Sequence, residues 1–452
     1  MRKVFTAVAL LSSTIGALRA ERPMNVVILL TDDQGYGDLH CYGNPRVTTP
    51  NIDRLASQGT LFTDFYAGAA SSTPSRAALL TGRHAPRVGL PVVVQSTSTD
   101  GIRAGELTIA DYLKQRGYAT GMFGKWHLGC LPEYMPVRHG FTEYYGIPYS
   151  MDMWPFSTTA TTPNRPLPLY EGEQVVEYNP PVNEMTTRLT ERAVDFIERH
   201  ADGPFMLYLP YTQPHVPLGV SDKFRDKSGE GLYADVLMEI DWSVGRIVNT
   251  IDSLGLGENT LILFTSDNGP WLRFGDHAGT TLGLREGKGT TWEGGQRVPL
   301  VARMTGKIPA GRRCSEFFSA LDLAPTITDM AGAHMPGKNN NFDGQNVEPL
   351  LLGGTVSHAP FFFVHKGRVE AVRDGRYKLV TAHKYRVVPE PGHAGLPGSQ
   401  IEDGGYTELA LYDLEKDPYE KKDISRRHPE VVQRLEKMIA EYQKDIDNDN
   451  AK

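Results

Sequence analysis

The chain has 452 residues and a formal net charge of −7, so no overall basic surface exists to hold nucleic acid, and an anionic ligand must be drawn by local cations or a metal. Its 40% hydrophobic and 22% charged residues fit a soluble globular protein, long enough for one large α/β domain and a smaller one. The three cysteines, Cys41, Cys130 and Cys314, permit at most one internal disulfide and have no metal-ligand spacing, which excludes a disulfide scaffold.

The first twenty residues stand apart. Arg2 and Lys3 form a basic start, residues 4–18 are apolar but softened by Ser12, Ser13 and Thr14, and Ala20 offers a cleavage point before Glu21. This reads as a secretory signal peptide over 1–20, too short and too polar for a membrane span, with no cysteine after it for a lipid anchor. The expectation is an exported protein, periplasmic or secreted, without membrane insertion.

Four apolar runs, 25–31, 118–123, 205–209 and 261–265, read as buried parallel strands. The first leads into Asp32 and Asp33, and the second to Lys125 and His127, placed on one short loop after the strand. The third leads to His215 and the fourth to Asp267 and Asn268. In open α/β sheets ligands bind outside the carboxyl ends of the strands, so these residues are candidates for one site. Between them, Thr49 and Pro50 open a helix, and Thr108 caps another that stops at Gly117. Leu189, Ala193, Phe196 and Ile197 form one apolar helical face; Leu237, Ile240, Val244, Ile247 and Ile251 form a longer one. Alternating strands and helices imply an α/β fold, a large, mostly parallel sheet flanked by helices.

The character changes near 350–357. Beyond it, residues 360–365, 371–381 and 411–414 read as strands with a turn at Asp374 and Gly375, and a helix runs from Pro429 to about Ile446. The expected organisation is a signal peptide over 1–20, a large domain over 21–354, and a subdomain over 355–452 made of a small antiparallel sheet plus one helix. The Gly/Pro-rich segment 389–405 reads as a long surface loop.

Ser72 precedes Pro74, which suits the first turn of a helix with an apolar body over 77–80. Ser72 then lies where the helix dipole favours negative charge, and Arg76, one turn in, can point back to it. Asp32, Asp33, Asp267 and Asn268 offer three carboxylates and an amide, an oxygen set that selects calcium or magnesium over zinc.

Ser72-x-Pro74-Ser75-Arg76, followed by Thr81-Gly82-Arg83, resembles the signature of type I sulfatases in its serine form. The likeness extends through 31–39, 124–129, 213–217, 266–270 and 287–297, over nearly the whole chain after the signal peptide. It looks closest to the branch containing arylsulfatase A and the N-acetylgalactosamine-6-sulfatases. The resemblance implies an alkaline-phosphatase-like fold and a sulfate ester hydrolase in which Ser72 is oxidised to formylglycine (3-oxoalanine). The serine form implies a bacterium whose radical maturase acts before export. A formylglycine hydrate carries two hydroxyls on one carbon: one attacks sulfur, and the other loses its proton to re-form the aldehyde and expel sulfate, which divides one difficult step into two.

The same resemblance places the metal, with Ser72 among its ligands, against a sulfate oxygen. Lys125 would bind the sulfate and position 72, and His127 would take the proton from the hydrate. His215 and Lys288 would lie on the leaving-group side, one of them protonating the departing alcohol; the sequence does not choose between them. Arg76, Lys125, Lys288 and the metal would surround the group whose charge shifts in the transition state. Trp126 and Trp292 read as packing residues, Arg83 and Arg297 as structural ion-pair partners. The expected substrate is a sulfated sugar or oligosaccharide, with specificity residues on 90–105, 149–165 and 365–368. The competing readings are a phosphonate or phosphodiester hydrolase using the same formylglycine, and a sulfated-glycan binding protein if Ser72 is unmodified. Asp267-Asn268, standing where two-metal phosphatases carry Asp-His, favours one metal.

Overall fold

A computed structural model describes residues 22–156, 165–333 and 342–450. The signal peptide and residues 157–164 of one expected specificity loop lie outside the described residues.

The strands Asn25–Thr31, Phe205–Pro210 and Thr260–Ser266 are buried along their whole length. Such strands must be covered on both faces, which is why they read as unbroken apolar runs. Side chains alternate between the faces. Val26, Ile28 and Leu30 enter one core, with Leu79, Leu80, Ile109 and Ile327 from the helices Ser72–Thr81, Ile109–Lys114 and Leu323–Met330. Val27 and Leu29 enter the other, with Ile52, Leu189 and Ile240 from Pro50–Ser57, Met185–Arg199 and Leu232–Ser253. Each fully buried aliphatic side chain stabilises this sandwich by about 1.5–3 kcal/mol.

Among the described residues the sheet has ten strands, in the order Arg312–Cys314, Thr60–Phe62, Leu300–Arg303, Thr260–Ser266, Asn25–Thr31, Phe205–Pro210, Ala119–Lys125, Glu143–Ile147, Pro168–Glu171 and Gln174–Tyr178. The centre is parallel, with Val26 opposite both Met206 and Leu261. Antiparallel pairings flank it on both sides. The register sets Thr31 against Ser266, so Asp32 and Asp267 leave two adjacent strands side by side.

A second sheet, antiparallel throughout, joins Phe361–His365, Arg368–Asp374, Tyr377–Val380 and Ala410–Asp413. Leu435, Ile439 and Ile446 of the helix Pro429–Asn450 cover one face, and the other packs on Tyr66 and Trp292. The architecture is the expected alkaline-phosphatase-like one. No helix among the described residues is long and apolar enough to cross a membrane.

Two expectations need correction. The segment 389–405 is a loop only over 391–398: His383–Glu390 and Ser399–Thr407 on either side pair as an antiparallel hairpin. Lys125 is not on a loop either. It ends the strand Ala119–Lys125, with Gly124 opposite Gly146 and Lys125 opposite Ile147. The three cysteines are free thiols.

Candidate active site

Ser72 opens the helix Ser72–Thr81 and is buried, so its hydroxyl lies at the positive end of the helix dipole. The hydroxyl donates to Asp32 Oδ1 at 3.2 Å. Lys125 Nζ donates to Asp32 Oδ2 at 2.6 Å and lies 3.3 Å from both Ser72 Oγ and Ser150 Oγ. The fully buried Arg76 does point back, as its helical position requires. Its Nε and Nη2 both donate to Asp267 Oδ2, at 2.9 and 2.8 Å; Nη1 donates to the Lys125 carbonyl, and Nη2 stands 3.3 Å from Asp32 Oδ1.

Asp33 adopts a left-handed φ of 65°, which turns its carboxylate toward the second group of cations. Its Oδ2 lies 2.7 Å from Lys288 Nζ and 3.4 Å from His215 Nε2, and its Oδ1 accepts from Asn268 Nδ2 at 2.7 Å. Trp271 sits between these basic groups: its ring is 5.6 Å from the His215 ring and 4.7 Å from Lys288 Nζ. The Trp271 Nε1 in turn donates to Gln400 of the C-terminal hairpin at 2.7 Å.

Burial alone would raise the pKa of Asp32, but Lys125, His215 and Arg76 outweigh it and hold the carboxyl down to about 2. Asp33 is lowered in the same way, burial being overcome first by Lys288 and then by His215. Burial, followed by the charges of Lys125 and Arg76, pushes His127 well below the usual histidine range. His127 Nε2 faces the Val94 carbonyl at 2.9 Å, and because a carbonyl only accepts, the proton sits on that nitrogen. Its Nδ1 is buried with no hydrogen-bond partner.

The oxygen set fits a hard cation. The ligand atoms of Asp32, Asp33 and His215 lie within 4.8 Å of one another, and the Asn268 Oδ1 beside them is buried without a hydrogen-bond partner. An unsatisfied buried carbonyl oxygen next to converging carboxylates is what an oxygen-liganded divalent ion would satisfy.

The expected residues Asp32, Asp33, Ser72, Arg76, Lys125, Asp267, Asn268, His215 and Lys288 thus form one connected cluster, buried except at the partly buried Lys288. His127 adjoins it through the strand that ends at Lys125. Trp126 and Trp292 are buried packing residues; Arg83 pairs with Glu106 and Asp449, and Arg297 with Asp64 and Glu293. Sequence reasoning missed Trp271 and Gln400; Ser150 lies inside the expected specificity segment 149–165 without being singled out. Trp271, one residue beyond the 266–270 motif, was the one with a usable signal.

Ser72 is thus buried at a helix N-terminus and flanked by acids and cations at the carboxyl edge of an alkaline-phosphatase-like sheet, an arrangement suited to binding a charged ester. A sequence model of the sulfatase family matches residues 24–333, and a model described as the C-terminal region of aryl-sulfatase matches 356–452. Human arylsulfatase A is 39% identical, with 95% of this chain and 90% of that protein covered. Canine N-acetylgalactosamine-6-sulfatase is 35% identical, with 96% and 88% covered. The crystal structure of Ps i-CgsB in complex with k-i-k-neocarrahexaose superposes with a TM-score of 0.76 at 29% identity, covering 93% of each chain. The chain belongs to the sulfatase family and is a sulfuric ester hydrolase.

Proposed function

We propose that the protein hydrolyses the sulfate ester of a sulfated carbohydrate, with Ser72 carried as formylglycine beside one divalent cation, calcium or magnesium. The observation that carries this reading is that Asp32, Asp33, Asp267 and Asn268 meet at two adjacent strand ends, Asp33 bonded to both Asp267 and Asn268 while Asp32 accepts from the Ser72 hydroxyl. These residues would hold the cation, which would supply positive charge against the sulfate oxygens. Formylglycine at position 72 would supply the two hydroxyls, one to attack sulfur and one to release sulfate.

The side chains divide the remaining work. Lys125 binds a sulfate oxygen while holding the oxygen of position 72 within reach. Arg76, clamped on Asp267 and the Lys125 carbonyl, fixes that carboxylate and adds charge without having to move. His127, neutral and protonated on Nε2, offers Nδ1 as the base for position 72. His215 and Lys288 meet at Asp33, and either can hand a proton to the departing alcohol. Trp271 keeps both in place and excludes water from that side. Relatives named for N-acetylgalactosamine 6-sulfate and a neighbour solved with neocarrahexaose support a carbohydrate substrate. Export behind a signal peptide over 1–20, maturation of Ser72 by a radical enzyme beforehand, and a division of the chain into 21–354 and 355–452 complete the proposal.

The test is turnover of 4-nitrophenyl sulfate against bis(4-nitrophenyl) phosphate. The expected result is a kcat/KM for the sulfate ester higher by about a hundredfold or more, differential transition-state binding of about 2.7 kcal/mol. The reverse preference would make the protein a phosphodiesterase.

A further inference from the structure

Next to position 72, and outside the acid cluster, lies a hollow of 260 Å³. It is lined by Ser71 and Pro74, on either side of Ser72, by Gly289, which follows Lys288, by the apolar Val92 and Val93, and by His365, Lys366 and Arg386 from the C-terminal sheet and hairpin.

No aspartate or glutamate lines it among the described residues, whereas Lys366 and Arg386 do. Glu402, outside the lining, pairs with Arg386 at 2.9 Å and stands 3.9 Å from Lys366, so it offsets one of the two charges and leaves one over. His84 and His365, also in the lining, are held by burial down to about 4 and stay neutral near neutral pH.

Lys366 also sits on an unfavourable backbone. Its φ is 48° and that of Gly367 is 82°, in the turn between Phe361–His365 and Arg368–Asp374. Two-residue hairpin turns with both φ values positive favour asparagine, aspartate and glycine, and a side chain such as lysine costs about 1–2 kcal/mol there. A residue that is locally costly and lines a hollow shared with Ser71 and Gly289 points to a use other than folding.

We propose that this hollow is a subsite for a second anionic group on the same carbohydrate, a further sulfate or a uronate carboxylate, bound by Lys366 with Arg386. The inference rests on the sulfatase reading above. The scissile sulfate occupies the acid-and-cation cluster; the second anion lies beyond Ser71 and Gly289, with Val92 and Val93 against the sugar face.

Wild-type turnover of 4-nitrophenyl sulfate comes first, because its absence sinks the sulfatase reading whatever the hollow does. Disaccharides with one sulfate, with two sulfates, or with one sulfate and one uronate are then used as competitors of that turnover. A second anionic group should lower the inhibition constant about tenfold or more, as a charge-assisted hydrogen bond would. The two doubly charged competitors show which anion is preferred. In Lys366→Gly the gain should shrink below about threefold while the melting temperature stays equal or rises, because glycine relieves the turn. Lys366→Arg should keep the gain. Equal inhibition by singly and doubly charged competitors of wild type, or a gain that survives Lys366→Gly, overturns the proposal.

Discussion

Lys125 Nζ lies 2.6 Å from Asp32 Oδ2 and 3.3 Å from Ser72 Oγ, so one buried ammonium ties the proposed metal-ligand carboxylate to the proposed nucleophile position. Lys125→Met should lower kcat for 4-nitrophenyl sulfate by about 10²–10³, the usual loss when one preorganised donor is removed. Without metal, Asp32 keeps only Arg76 at 3.3 Å and the Ser72 hydroxyl at 3.2 Å, and losing the Lys125 bond should also destabilise the fold by about 1–3 kcal/mol. Added calcium should recover most of that loss but none of the rate. Steady-state kinetics and melting curves, with and without calcium, check both parts.

Asp32, Asp33 and Asp267 balance Arg76, Lys125 and Lys288 in formal charge, so on the proposed reading a divalent ion would give the cluster the positive excess that an anion needs. Calcium at a hundred times its Kd should raise unfolding stability by about 2.7 kcal/mol. Asp33→Asn and Asn268→Ala should flatten that response. A melting temperature that ignores both chelator and calcium contradicts the ligand assignment.

His84 gives the fold a pH limit away from the active-site cluster. It is buried against Phe361 and Tyr442, and burial, only partly offset by Asp343, lowers its pKa from 6.5 to about 4. Between those values the unfolded chain binds a proton that the folded chain refuses. Stability should therefore fall as pH drops from 6.5 to 4, by up to about 3 kcal/mol. Urea midpoints at pH 7 and pH 5 should differ, and His84→Asn should narrow the difference.

Gly289 has a φ of 83°, and a Cβ there would come within 2.5 Å of Arg386 Nη1, the group that donates to the Lys288 carbonyl at 3.1 Å. Gly289→Ala should cost about 1–2 kcal/mol in backbone strain. It should also lower kcat/KM about tenfold by displacing Lys288. The double variant Gly289→Ala, Arg386→Ala removes the collision but not the strain, so the two losses should be non-additive in kinetics.

The strand ends were legible because buried parallel strands read as continuous apolar runs, and whatever follows them must lie at the carboxyl edge of the sheet. That alone located Asp32, Asp33, His215, Asp267 and Asn268. Lys125 was placed one structural step too late, because Gly124 breaks the β-forming pattern although backbone pairing with Gly146 continues through it. The segment 389–405, which holds the end of His383–Glu390 and most of Ser399–Thr407, reads as a loop for a related reason. Its residues are mostly exposed, so no apolar alternation marks it, and Pro389, Pro391 and several glycines imitate a coil. Backbone pairing and attachments to Trp271 and Arg273 hold it instead. Long-range attachments of this kind, like Lys125 to Ser150, leave no local trace in a sequence.

The central claim is that position 72 does its chemistry as formylglycine within this cluster. Mass spectrometry of the tryptic peptide ending at Arg76, on enzyme that hydrolyses 4-nitrophenyl sulfate, tests it most directly. The expected peptide is two hydrogens lighter than its sequence, in a fraction that tracks specific activity across preparations. Fully active enzyme carrying only unmodified serine at position 72 would contradict it.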